Sequence, residues 1–325
     1  MKKQWQSDRE EKVKALTEKL EKGIQEVFAS EKYKAYLSTM AKFHSYSFNN
    51  SILIYMQKPD ASLVAGYKTW QSLERQVKKG EKGITILAPC PYKAVIEKEV
   101  TDPETGRTKT DADGKPVKEE QEISYTYFRP ASIFDISQTE GKALPTLSEE
   151  LKGEAENYEA LMAAIKEAAD VPIRFDTWTE SKKGYYSLTD QEIVIKSGMS
   201  EMQTVKTAIH ETAHSTLHTD KEHLKDSATM EVEAESVAFV VCQHFGLDTS
   251  DYSFGYLAGW SSNKELPELK ASLQTIQKTS DDLIKKLEHL MKKYTNNLDI
   301  SQSLTAEAEQ IPGLGGTFQK HTHRR

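Results

Sequence analysis

His210-Glu211-Thr212-Ala213-His214 sets two imidazoles and a carboxylate within five positions. On a helix, residues four apart share a face, so His210 and His214 can aim ring nitrogens at one cation. Glu211 stands one position round, in reach of a water on that cation, where a carboxylate acts as a base. The chemistry such a set would perform is metal-assisted hydrolysis of an amide. The short pattern also fits a solvated or core-facing helix that happens to carry two histidines. A third ligand decides between them.

The stretch 205–218, VKTAIHETAHSTLH, keeps apolar residues at helical spacing: Val205, Ala208, Ile209, Ala213 and Leu217. These would seat the helix on a core behind the site. A third histidine six residues after His214 would define one class of zinc peptidase, the metzincins, but Asp220 occupies that place and Leu217 replaces the required glycine. The alternative is a carboxylate from a returning helix. Residues 229–241, TMEVEAESVAFVV, offer Glu231, Glu233 and Glu235. Two histidines and a glutamate make a known catalytic zinc set. Glu231 and Glu235 share a face, so one can bind metal while the other accepts a hydrogen bond from a ligand imidazole. Spacing alone does not say which does which. Glu233 is expected on a solvated face. His218, four after His214, reads as a helix-end residue, because a catalytic zinc keeps a position open for water. Zn2+ or another divalent metal is the implied cofactor.

Ahead of the helix, residues 183–196, KGYYSLTDQEIVIK, read as a hairpin. Either Tyr185–Leu188 or Ile193–Ile195 could be an edge strand that pairs with an extended peptide. Tyr256 is a candidate hydrogen-bond donor to a transition state, or a core residue.

Composition sets the frame. The 325 residues suggest two domains, and 29% charged and 37% hydrophobic residues with a net charge of −7 describe a soluble chain. No apolar run reaches the ~18 residues of a membrane span, and the N-terminus lacks the apolar core of a secretory signal. Cys90 and Cys242 form no framework or metal motif, which fits a cytoplasmic setting.

The N-terminal half is different. Residues 8–40 read as charged and helical. Residues 41–93 then hold eight Lys/Arg against three acids, with seven aromatics interleaved. Cations that neutralise phosphates beside rings that stack on bases suit single-stranded nucleic acid. The plainer reading is aromatics in a small core and lysines on a solvated turn. Helices are expected near 49–57 and 67–75, and strands at 84–96 and 123–136 joined by a mobile loop, 97–122.

Several motifs here resemble the ArdC antirestriction family: YSFNN (46–50), the Lys58-Pro59-Asp60-Ala61 turn, VAGYKTW (64–70), QVKKGEKGITILAP (76–89) and FDISQTEG (134–141). The resemblance covers roughly residues 10–145 and implies a domain that binds single-stranded DNA. On it, Tyr46, Asn49, Asn50, Tyr67, Trp70, Lys78, Lys79 and Lys82 are the candidate DNA contacts. Glu231-x-x-Ala234-Glu235-x-x-Ala238 is similar to the second helix of ImmA/IrrE and ArdC-type peptidases. That resemblance implies Glu231 as the metal ligand and Glu235 as its support. Residues 255–260, GYLAGW, and 265–293 resemble the ArdC C-terminal region.

The expected architecture is α+β in two domains. Residues 1–145 would bind single-stranded DNA, residues 146–295 would form a gluzincin-like metallopeptidase, and residues 296–325 would be a disordered tail. The resemblance implies a mobile-element protein that shields entering DNA from restriction and acts on an unidentified protein substrate, away from membranes. Two other readings fit the residues: a DNA-shielding protein with a non-catalytic metal site, or a regulatory peptidase that cleaves a repressor.

Overall fold

The computed structural model describes residues 2–309 apart from 29, 104–105, 112–113, 144–153, 220–224, 253, 256 and 263; at 2–10, 30–31, 154–157, 258 and 295–309 it describes the backbone alone. The chain is mixed α+β and forms two compact units. Unit 1 is Met1–Phe28 with Tyr46–Ala143, and unit 2 is Ala29–Ser45 with Leu144–Arg325. The sequence reading placed residues 29–45 in the N-terminal domain; they pack in unit 2.

The charged N-terminal region is therefore two helices with different partners. Helix α1 (Lys2–Val27) buries Leu16, Leu20, Ile24 and Val27 in unit 1, with α3 (Phe48–Gln57) as a main neighbour. Helix α2 (Ser30–Lys42) fully buries Tyr33, Tyr36, Leu37 and Met40 in unit 2.

Unit 1 contains a three-stranded antiparallel sheet in the order β1-β4-β3: Val64–Gly66, Lys118–Asp135 and Ile84–Glu99. A short helix α4 (Tyr67–Ser72) follows β1, and β2 (Arg75–Val77) pairs with β5 (Thr139–Gly141). The ladder between β3 and β4 runs unbroken from Ile84↔Ile133 to Glu99↔Lys118, with isolated bridges beyond it. Both ends of the stretch expected to be a mobile loop, 97–99 and 118–122, are thus paired strand, and two bridges pair part of what lies between. A two-stranded ribbon solvated on both faces carries no apolar alternation, so its polar length hid it from the sequence pattern.

An edge strand exposes unpaired backbone groups. Helix α3 satisfies part of the β3 edge with two side-chain amides. Asn50 accepts from Leu87 N at 2.9 Å and donates to Leu87 O at 3.0 Å. Gln57 accepts from Thr85 N at 3.0 Å and donates to Thr85 O at 2.9 Å. Residues seven apart on a helix share a face, and residues two apart on a strand present the same edge, so the periods match.

The FDISQTEG stretch is a second hub. The buried Asp135 carboxylate accepts from the backbone of Ser62, Leu63 and Ser137, and caps a 3-10 turn, Ile136–Gln138. Gln138 reaches the Glu81 carboxylate and Lys82 O, both at 2.9 Å, so it anchors the KKGEKG loop. Gly141 closes the motif at φ +128, where a Cβ would lie 2.5 Å from Glu74 O.

Unit 2 has a sheet in the order β6-β8-β7: Ile173–Asp176, Glu192–Lys196 and Gly184–Ser187. Its helices besides α2 are α5 (Glu154–Ala168), α6 (Glu201–Leu217), α7 (Ser227–His244), α8 (Leu257–Ser261) and α9 (Leu266–Glu309). Helix α9 continues through residues 296–309, the first part of the expected tail, because no proline or glycine interrupts it before Pro312. Residues 310–325 lie outside the described residues.

Asn50→Ala would leave a buried N–H and C=O of Leu87 unpaired, a cost of about 3 kcal/mol. Urea unfolding followed on unit 1 should show that loss, and Asn50→Ala with Gln57→Ala should cost more than either alone.

Candidate metal centre and nucleic-acid face

Helix α6 starts at Ser200, whose side chain accepts from Gln203 N. It has no internal glycine or proline, and it buries Val205, Ala208, Ile209 and Ala213 to 2% exposure or less, with Leu217 half-buried. Helix α7 starts at Asp226, which accepts from the Thr229 backbone N and hydroxyl. Those bonds, the hydroxyl first, draw the Asp226 carboxyl down to about 2. The Trp260 indole N–H fixes the same Thr229 hydroxyl at 2.9 Å. Val232, Ala234, Val237 and Ala238 are fully buried in the α7 core. With α6 and α7 packed together, the two histidines of one helix meet the two glutamates of the other.

The two Nε2 atoms of His210 and His214 lie 3.1 Å apart. One Glu231 oxygen is 3.4 Å from His210 Nε2 and the other is 3.4 Å from His214 Nε2. Donors on a tetrahedral ion at ~2.0–2.1 Å are separated by about 3.3 Å; the two ring nitrogens stand near that spacing, each faces a different Glu231 oxygen at it, and one ligand atom from each of the three residues lies within 4.8 Å of the others. Their chemistry, two neutral imidazoles and a carboxylate, suits a divalent transition metal. Glu235 takes the other side of the same ring, with its Oε2 3.2 Å from His210 Nδ1. A carboxylate there fixes the tautomer that leaves Nε2 free to bind.

The electrostatics follow from burial and crowding. Burial raises the Glu211 pKa against the pull of His210, His214 and Lys182. Burial works to lower the His210 pKa, but the Glu235 hydrogen bond and the charges of Glu211, Glu231 and Glu235 outweigh it and hold it above its usual value. The hydrogen bond with His214 lowers Glu231. His218 caps α6 and donates to Met230 O at 3.2 Å; burial pushes it down to about 4, so it is neutral.

Two features differ from expectation. Glu233 is not solvated: it is fully buried, held by Lys225 at 2.6 and 2.8 Å and by the Ser272 hydroxyl at 2.8 Å. The far face of α7 packs on α9 rather than on water, so the buried charge needs that partner. And Ile193–Ile195 is not an edge, because β8 is the centre of its sheet and those residues are fully buried; β7 is the edge strand beside α6 and β6 the other edge. Gly184 opens β7. A Cβ there would approach Thr207 Cγ2 to 2.7 Å and Glu211 Cγ to 3.3 Å, so only glycine lets the strand lie against α6. Grooves lined by β7 residues, His210, Glu211 and Glu231 flank the site. Tyr256 lies outside the described residues.

The candidate DNA residues separate in unit 1. Trp70 is fully buried and donates to Phe134 O at 2.9 Å, so its ring cannot stack on a base. Asn50 is committed to the β3 edge. Both are corrected to structural roles. Tyr46 is half-buried and donates to Val64 O, and Asn49 is half-buried. Tyr67 is 42% exposed and accepts from Gln76. Lys78, Lys79 and Lys82 are exposed on the anchored loop, Lys78 bonding Ser137 O.

One feature escaped the sequence reading. Tyr92, Tyr125 and Tyr127, each at least 40% exposed, lie on one face of the β3–β4 ribbon. Tyr92 stacks on Tyr125 at 5.5 Å and meets Tyr127 at 6.0 Å. Arg129 follows on the same face, two residues beyond Tyr127, and is exposed. The signal was present as period-two alternation in ISYTYFR.

Residues 6–134 match the family described as the N-terminal domain of anti-restriction factor ArdC. Over this range the chain is ArdC-like, and the range includes residues 29–45, which pack in unit 2. An uncharacterized protein of Bacillus anthracis is 30% identical over 291 residues, covering 79% of this chain; the chain spans about half, 49%, of that relative. The antirestriction ArdC protein from plasmid R388 overlaps at a TM-score of 0.43 and 24% identity in its metal-free structure, covering 78% of this chain and 86% of that one. Its Mn(II)-bound structure overlaps at 0.42 and 19%, covering 77% and 84%. Overlaps this loose leave the chemistry of the centre to this chain's own residues, all of which lie beyond the ArdC N-terminal match.

Glu235→Gln should retain the metal but weaken it about 10–100-fold, as loss of an outer hydrogen-bond partner does, whereas Glu231→Ala should weaken it further. Competition with a chromophoric chelator measures both.

Proposed function

We propose that this ArdC-like chain is an antirestriction-type protein that binds single-stranded DNA with unit 1 and hydrolyses peptide bonds with unit 2, at a divalent-metal centre on His210, His214 and Glu231. The observation that carries the peptidase half is the convergence of two imidazoles and a carboxylate within 4.8 Å of one another beside the buried Glu211 carboxylate. A cation held there by His210, His214 and Glu231, zinc in our reading, would supply Lewis acidity toward a water and a substrate carbonyl. Glu235 keeps the His210 ring oriented. Glu211 takes a proton from the attacking water on its carboxylate oxygen and returns it to the leaving amine. The free edge of β7 offers backbone groups to an extended peptide beside Glu211.

The DNA half is supported by the family of residues 6–134 and by the surface of the ribbon. Exposed tyrosines give base-stacking platforms, and Arg129 with Lys78, Lys79 and Lys82 supplies cations for phosphates. No described helix is long and apolar enough to cross a membrane. A cytoplasmic setting, where mobile-element DNA enters and free thiols persist, suits both halves.

Glu211→Gln should keep bound metal at wild-type stoichiometry and lose peptide hydrolysis by at least 100-fold. If wild type cleaves no unfolded or DNA-associated protein, and the variant protects DNA from restriction equally well, the centre is not a peptidase. Single-strand affinity of the full chain should fall with salt at a log–log slope of about −0.7 per phosphate contacted. Tyr125→Ala with Tyr127→Ala should weaken it by about one and a half to four orders of magnitude, at about 1–3 kcal/mol per stacked base. An unchanged affinity removes the ribbon from the interface.

A further inference from the structure

Unit 2 holds a second cluster of ligand-type side chains that the proposed peptidase does not use. It lies where three elements meet: His44, in the turn after α2; His244, the last residue of α7; and Glu288, in the middle of α9. One nitrogen from each imidazole and one Glu288 oxygen all lie within 4.8 Å of one another. Along α7, His244 is 13 residues from Glu231, about 20 Å at helical rise, so the two clusters are separate.

The outer contacts of this cluster are those of ligand histidines. His244 Nδ1 lies 3.2 Å from Ala41 O, an acceptor only, so Nδ1 carries the proton. In the neutral ring, Nε2 is then a lone pair, and it faces a Glu288 oxygen at 2.9 Å. Two acceptors at that distance require a positive charge between or upon them. His44 stands edge-on to His244, with ring centroids 4.8 Å apart, and its Nδ1 lies 2.8 Å from an Asp281 oxygen. The other Asp281 oxygen is held by Lys285 at 2.6 Å. Each imidazole thus has one nitrogen fixed by an oxygen acceptor, the arrangement that orients metal-bound histidines.

We propose that His44, His244 and Glu288 form a second divalent-metal site. Two imidazoles and a carboxylate select zinc, cobalt or nickel over magnesium or calcium. The His44 and His244 side chains are 13% and 18% exposed and Glu288 is 37% exposed, so an ion has a route in from the Glu288 side. Its role is a staple. His44 lies next to the end of the segment 29–45 that joins unit 2 from far away in sequence, and an ion there ties it to α7 and α9, closing a long loop. The alternative chemistry is a plain network of protonated histidines and carboxylates, which needs no ion.

Metal stoichiometry of the full chain separates the two. Apo protein is dialysed against Zn2+, and bound metal is measured by mass spectrometry. We expect two ions per chain for wild type, one for His210→Ala, one for His244→Ala and none for the double variant. On the His210→Ala background, Zn2+ should raise the thermal unfolding midpoint, and Glu288→Gln should weaken the remaining ion at least tenfold and remove most of that rise. Glu288 is partly exposed, so this variant carries the test if His244→Ala does not fold. A single ion in wild type that is lost with His210→Ala overturns the proposal in favour of the ion-pair network. A second ion indifferent to both His244→Ala and Glu288→Gln also overturns it. Neither result depends on hydrolysis, so failure of the peptidase reading leaves this test intact.

Discussion

Two imidazoles and a carboxylate facing one another at 3.1–3.4 Å across α6 and α7 are the constraint around which unit 2 is arranged. Polar groups brought that close, with the two imidazoles largely shielded from water, need compensating partners. The rest of the unit meets that demand from behind. Fully buried residues of α6 and α7 set the spacing of the two helices, and Asp226 and Thr229 fix where α7 begins. Glu235 holds the outer side of His210. Even the buried charge on the far face, Glu233, has Lys225 and Ser272. Gly184 then lets an edge strand lie beside Glu211 where any side chain would collide.

Unit 1 follows a related logic with neutral groups. Side-chain amides of α3 stand in for a missing strand along β3, and one buried aspartate gathers three backbone N–H groups into the FDISQ turn. These bonds anchor the base of a long ribbon and the basic loop beside it. The recurring residues that look most like ligand contacts in the sequence are partly this scaffold. What remains for a ligand is what the scaffold leaves exposed: lysines on the anchored loop and tyrosines on the ribbon.

Legibility in the sequence depended on whether local geometry alone decides the outcome. His210 and His214 share a face on any helix, so that juxtaposition could be read directly. Glu231 and Glu235 could not be separated by spacing, because they share a face; only distances to Nε2 and Nδ1 of His210 distinguish them. Trp70 and Asn50 show the converse. A tryptophan that stacks on a base and one that fills a core are the same letter, and tertiary burial decides. Glu233 looked solvated because the partner that buries it, α9, arrives from far down the chain. Residues 29–45 looked continuous with α1 because their charge and period are alike, while their packing partner lies some 200 residues away. The ribbon was read too short because solvated strands lack an apolar pattern.

The central claim is that α6 and α7 together form a divalent-metal centre of two histidines and a glutamate. X-ray absorption at the zinc edge tests it directly, on the 325-residue chain carrying His244→Ala and one equivalent of Zn2+. The account predicts outer-shell scattering from two imidazoles and light-atom ligands at about 2.0–2.2 Å, with one imidazole lost in His214→Ala and an oxygen ligand changed in Glu231→Ala. Zinc without imidazole scattering, or a spectrum unaltered by both substitutions, would contradict it.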